Sequence, residues 1–200
     1  MIPNCCRVLP ILSVPLPKRR RNAMRMDNWY VLHVRTGQEM GVAEAVRKLP
    51  GAAALVPSVI LTERRDGKRE ECSRLLYPGY VFAQTERLNA QRYYDFKRID
   101  GVLRLLGLDD GDIPRCVPES EMQTVMDIIG DTQTVGISHG IKDAGGRIKI
   151  IDGPLKSLQG HITKIDTRQQ RATVRLSLMG HTQIVSVALI TSSPTEPEAE

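Results

Sequence analysis

Apolar, β-favouring residues crowd positions 29–35 (Trp-Tyr-Val-Leu-His-Val-Arg), and Tyr30, Leu32 and Val34 share one side of the strand they predict. The run breaks at Thr36-Gly37. Thr36 and Glu39 stand at capping-box spacing, and their hydroxyl and carboxylate are expected to satisfy the free amides of a helix start. The helix that follows places Val42, Ala45, Val46 and Leu49 on one stripe, with Glu44, Arg47 and Lys48 outside, and Pro50-Gly51 ends it. Residues 59–65 and 68–76 flank Asp66-Gly67, a tight-hairpin signal. A strand over 80–85, a short helix over 89–98, a strand over 102–106 and a last helix carrying Met122, Val125, Met126 and Ile129 complete this part. The order β-α-β-β-β-α-β-α predicts an α+β fold, an α/β sandwich with helices packed on a mainly antiparallel sheet.

Beyond residue 130 the pattern changes. Residues 131–145, rich in Gly, Thr and Ser, read as a linker. From Gly146 short alternating strands follow at Ile148/Ile150, Ile162/Ile165, Val174/Leu176 and Ile184/Val185/Val187. Their turns fall at Asp152-Gly153-Pro154, 167–170 and Met179-Gly180. This spacing predicts a small five-stranded β-barrel over 146–192. The expected organisation is a first domain over 27–130, a linker, the barrel, and a disordered acidic tail over 193–200. Residues 1–26 hold four prolines and two adjacent cysteines with no helical or strand period. They are expected to be a disordered tail or an over-long start, with Met26 or Met24 the physiological first residue.

The net charge of +5 is unevenly spread. Residues 1–26 contribute +6, residues 27–130 are close to neutral, and residues 146–193 contribute +5. A basic barrel beside a near-neutral domain points to nucleic acid as a partner of the barrel. The aromatics are also asymmetric, since none lies after Phe96. Base stacking by the barrel is therefore disfavoured, and phosphate and groove contacts remain. Lys156, Lys164, Arg168, Arg171 and Arg175 are the candidate RNA-binding residues, because convergent guanidinium groups suit phosphates and the groove edges of structured RNA.

Catalytic chemistry is poorly represented. There is no P-loop, nucleophile elbow or paired acid/base constellation, and His33, His139, His161 and His181 stand at no metal-ligand spacing with the cysteines. The run 109–112 (Asp-Asp-Gly-Asp) resembles part of a calcium loop without its closing Glu, and reads as a solvated turn. No enzyme, cofactor or metal is expected. Outside the first 26 residues only Cys72 and Cys116 occur, too few for a disulfide framework, and no apolar run reaches the roughly 18 residues that span a bilayer. A cytoplasmic monomer is the expectation.

Three groups of residues carry a specific resemblance. Trp29-Tyr30-Val31 with Arg35-Thr36-Gly37-Gln38-Glu39, then Tyr77-Pro78-Gly79-Tyr80-Val81-Phe82, then Gly101-Val102 resemble the N-terminal (NGN) domain of the NusG family. Gly153-Pro154, Gly160 and Gly180-His181-Thr182 resemble that family's KOW barrel. The wording Val34-Arg35-Thr36-Gly37 with Glu39 is closer to specialised antiterminator paralogues of the LoaP type than to the housekeeping factor. The resemblance implies a transcription elongation factor. Its first domain would dock on the clamp coiled coil of the largest RNA polymerase subunit, beside the upstream DNA fork where non-template DNA is a further contact. Clamp closure would suppress pausing and termination.

The corresponding candidates for polymerase contact are Tyr77, Pro78, Tyr80, Phe82 and Val102, since a coiled-coil tip calls for exposed aromatics around an apolar concavity. Relatives carry an aromatic after Gly-Pro where this chain has Leu155, and the barrel's partner stays open among RNA and the housekeeping partners, Rho and ribosomal protein S10. Two alternatives stand beside the specialised reading: a housekeeping NusG-type factor, and a KOW protein that binds RNA or the ribosome without touching polymerase. The family also includes a barrel segment that refolds as helices to mask the polymerase site. The period-2 alternation over 148–187 argues against helices here.

Overall fold

The computed structural model describes residues 28–65, 67–107, 114–143 and 145–192. The expected terminal tails and the acidic run at 109–112 lie outside the described residues. The first domain is built on β1 (Asn28–Val34), α1 (Glu39–Lys48), β2 (Ala52–Leu55), β3 (Ser58–Arg65), β4 (Lys68–Leu75), β5 (Tyr80–Thr85), α2 (Ala90–Lys97), β6 (Val102–Leu105) and α3 (Glu119–Ile129). Four of the strands form an antiparallel sheet in the order β2-β5-β1-β6.

Alternation along β1 gives the sheet two apolar sides. Tyr30, Leu32 and Val34 face α1 and α2, where they pack with Val42, Val46 and Phe96. Val31 and its register partner Phe82 face the other way, toward α3 and the barrel. Asn89 starts α2, its side-chain oxygen accepting the Arg92 amide at 2.8 Å. On α1 the buried stripe is Val42, Ala43 and Val46, a small rotation from the expected one that leaves Ala45 half-buried.

The second domain is a curled five-stranded sheet. After β7 (Thr134–Val135) come β8 (Ser138–Lys142), β9 (Ile148–Asp152), β10 (Ile162–Asp166), β11 (Arg171–Leu178) and β12 (His181–Ser192), and β8 to β12 take the order β10-β11-β12-β8-β9. From residue 148 onward the described chain is strands and short 3₁₀ turns, as the alternation predicted.

The stretch read as a linker is structured. β8, paired in parallel with β12, is the first barrel strand. β7 pairs in parallel with β3, and the hydroxyls of Ser58 and Thr134 meet at 2.8 Å. Only Gly136 and Ile137 separate these two strands.

Gly153 shows why the Gly-Pro-Leu turn closes the barrel. Its φ is +89°, and a Cβ there would lie 2.5 Å from the Cα of Ser138. The buried Ser138 hydroxyl in turn accepts the Leu155 amide at 3.0 Å. The turn is thus pressed against β8, and Leu155 is fully buried.

The two domains share one apolar cluster. It runs from Val31 and Phe82 through Val59, Leu61, Val125 and Ile129 to Leu155, Leu158, Val187 and Leu189. Polar contacts close both ends of this seam. On α3, the Glu121 carboxylate accepts the Met179 amide at 2.7 Å and the Ser177 hydroxyl at 2.8 Å. On β3, Glu63 pairs with Arg171 at 3.5 Å, and Arg171 also donates to the Thr62 carbonyl at 3.4 Å.

Candidate functional site

Tyr77-Pro78-Gly79-Tyr80 forms a β-turn, with the Tyr80 amide donating to the Tyr77 carbonyl at 3.2 Å and Gly79 at φ +82°. Proline before a positive-φ glycine is the type II arrangement. The turn is anchored from outside. Glu39 is buried, and its carboxylate accepts the Gly79 amide at 2.8 Å and the Gly37 amide at 2.7 Å. This corrects the capping-box expectation. Helix α1 begins at Glu39 itself with Gln38 in the cap position, Thr36 caps nothing, and the carboxylate reaches across the fold to hold the aromatic turn.

The structure groups Tyr77, Pro78, Tyr80 and Phe82 and separates Val102 from them. Tyr77 and Phe82 meet edge-on at 5.5 Å, and Tyr80 stacks on His33 at 5.3 Å. Val102 packs instead with the α1–α2 cluster on the opposite side of the sheet. Exposure divides the group again. Pro78 is exposed and Tyr80 half-buried, whereas Tyr77 is 2% exposed and Phe82 fully buried in the seam.

The Tyr77 hydroxyl finds no hydrogen-bond partner, and burial, reinforced by the nearby Glu121 carboxylate, pushes its ionisation far above the usual phenol range. A buried unsatisfied donor costs about 1–3 kcal/mol. Tyr77→Phe is therefore expected to raise the melting temperature of the full chain. A clear fall would show that the hydroxyl has a partner in solution.

The basic candidates divide in the same way. The β10–β11 register sets Lys164 opposite Thr173, on the side that also carries Arg171 and Arg175. Lys164, Arg168 and Arg175 are exposed. Arg175 has Ile184, 70% exposed, as its neighbour on β12. Arg171 departs from the expectation, because its guanidinium is turned into the seam toward Glu63 and Thr62 and is unavailable to RNA in this arrangement. The Glu63 carboxyl is shifted below its ordinary value, first by its hydrogen bonds from Arg74. Lys156 stands apart, lining a cleft between the end of α3 and the Gly153 turn with Asp127 and Asp152.

Sequence reasoning missed Glu39's second partner and Glu121 altogether. Glu121 precedes Met122, the first apolar position of α3, and reads as an ordinary helix-start acid. Among the described residues no cluster of three His, Cys, Asp or Glu is placed to hold a metal ion. No helix among them is long and apolar enough to cross a membrane.

A family profile described as "Transcription termination factor nusG" matches residues 27–126. The chain is similar to the "Transcription termination/antitermination protein NusG" of Treponema pallidum, with 25% identity over 177 residues, covering 81% of this chain and 95% of that protein. It is also similar to the protein of that name from Pseudomonas aeruginosa, with 25% identity over 167 residues, covering 80% and 93%. The Bacillus subtilis protein of that name is 25% identical over 163 residues, covering 76% and 90%. A solved structure titled "Domain interaction in Thermotoga maritima NusG" aligns with a TM-score of 0.49 at 21% identity, covering 81% of this chain and 93% of that one.

Proposed function

Because the chain belongs to the NusG family, we propose that it is a transcription elongation and antitermination factor of the specialised kind. Its first domain docks on the clamp coiled coil of RNA polymerase, and its basic barrel engages a leader RNA. The observation that supports this reading best is the aromatic turn. Tyr77, Pro78, Tyr80 and Phe82 are gathered on one side of a rigid sheet, with the turn pinned by a buried carboxylate. An exposed proline and a half-buried tyrosine above an apolar floor suit a convex, partly apolar partner.

Docking has two stages in this reading. Pro78 and Tyr80 meet the clamp first, and Tyr77 with Phe82 follows once the barrel moves off the seam. On the barrel, Lys164, Arg168 and Arg175 are free to meet phosphates, and Arg171 joins them on release from Glu63. The absence of aromatics from the barrel favours the backbone of a paired RNA over unpaired bases.

Single-round transcription by a bacterial polymerase through an intrinsic terminator tests this, on templates with and without the candidate leader. Readthrough that depends on the leader is expected, falling to the protein-free level for Tyr80→Ala. Readthrough independent of the leader would remove the RNA half of the proposal and leave a housekeeping factor. No readthrough on any template, together with no polymerase binding, would overturn it.

A further inference from the structure

The β3–β4 ribbon breaks an ordinary rule of strand pairing. Side chains directly opposite one another on an antiparallel pair share a side, and like charges there repel. Near the free end of this ribbon the register sets Glu63 opposite Glu70, Arg64 opposite Arg69, and Arg65 opposite Lys68. Arg64, Lys68 and Arg69 stand toward the tip, while Glu63, Glu70 and Glu71 lie toward the base.

The acids at the base do little to quench the tip. Glu63 is already held by Arg74 and Arg171. Arg64, Lys68 and Arg69 are exposed. Among the described residues Lys68 and Arg69 have no ion-pair partner, and Arg64 only donates to the Gly67 carbonyl at 3.3 Å. Self-repulsion retained at an exposed tip is a local conflict of the kind found at binding sites.

The barrel adds to this edge. Arg171 reaches β3 at Thr62 and Glu63, next to Arg64. The β10–β11 turn before Arg171 carries the exposed Arg168. Cations from the two domains are thus brought to one edge by contacts across 109 residues of chain.

We propose that the tip of the β3–β4 ribbon, together with Arg168 of the barrel, grips the phosphate backbone of a paired RNA stem. The choice of RNA rests on the leader-RNA reading given above. Nucleic acid is favoured over an acidic protein by two features. The edge is mostly guanidinium, which pairs with phosphate through two parallel hydrogen bonds. Its exposed tip also lacks the apolar anchor that a protein interface requires. A paired stem is favoured over single strands because no aromatic stands at the tip for bases to stack on.

The test uses the full chain and three probes of matched length: a leader stem-loop RNA, the same sequence as a DNA duplex, and an unpaired RNA. The triple variant Arg64→Thr, Lys68→Thr, Arg69→Thr is expected to bind the stem at least tenfold more weakly. The slope of log affinity against log salt should become shallower by about 2, as each lost phosphate contact removes roughly 0.7–0.9. Its melting temperature should not fall, since the variant removes like-charge pairs. Arg168→Ala should lose at least twofold on the same stem. Polymerase binding of the triple variant should match wild type.

Unchanged affinity and slope in the triple variant would overturn the proposal. DNA duplex bound as tightly as the stem, with the same loss, would overturn its assignment to RNA. Failure of wild type to bind the stem at all would overturn both this site and the RNA half of the functional reading, leaving polymerase docking to stand or fall separately.

Discussion

Gly153→Ala is expected to destabilise the barrel by about 3 kcal/mol or more. Two effects add. The backbone sits at φ +89° and ψ −179°, a region almost closed to residues with a side chain. The new methyl would also lie 2.5 Å from the Ser138 Cα and 2.8 Å from the Ile137 carbonyl oxygen, and backbone cannot swing aside as a flexible side chain does. Relief requires the Gly-Pro-Leu turn to lift from β8, breaking the bond from the Leu155 amide to Ser138 and opening the core around Leu155. For a chain of this size the loss corresponds to a fall in melting temperature of roughly 6–12 °C. A fall of less than about 2 °C would mean that the turn does not press on β8 as described.

Glu39→Ala should have an effect of similar size by a different route. The substitution leaves the Gly37 and Gly79 amides without their acceptor, the second of them buried. Hydrogen bonds to a charged acceptor contribute about 1.5–3 kcal/mol each, and buried amides left open add to the cost, so a loss of about 3–5 kcal/mol is expected. Glu39→Gln keeps one acceptor oxygen and should lose about half as much. The signature is local as well as global: the Gly79 amide should exchange with solvent far faster in the Ala variant than in wild type. Wild-type exchange at Gly79 would show that something other than Glu39 holds the aromatic turn.

Much of the fold is legible in the chain because its strands alternate and its turns carry Gly or Pro. The exceptions have a common cause. β2 is Ala-Ala-Ala-Leu, a poor strand former by composition, made a strand by pairing along β5. β8 is Ser-His-Gly-Ile-Lys, and its buried positions are Ser138 and Gly140. They are small because neighbours press on the backbone there: a Cβ on Gly140 would meet Ile148 at 3.1 Å and the Lys149 carbonyl at 3.2 Å. A strand whose inward residues must be small has no hydrophobic alternation to read, and so it passed for linker.

The candidate site was legible only in part for a related reason. The aromatic turn is contiguous and announces itself. Arg171 is turned from solvent by Glu63 and Thr62, which meet it only through the packing of one domain on the other, and Tyr77 is closed in by the apolar cluster that the two domains share. Nothing local to either residue carries that information.

The brevity of the connection between α3 and the barrel limits how far the two halves can part. With β7 still paired, Gly136 and Ile137 give a leash of about 10 Å. Even with β7 peeled away, residues 133–137 reach only about 20 Å. A barrel so tethered meets its own seam at an effective concentration in the millimolar range, whatever the amount of protein in solution. Separation is therefore never won by dilution. A partner that needs Tyr77 and Phe82 must outcompete a neighbour that cannot leave, and once the partner lets go the seam closes again without a search.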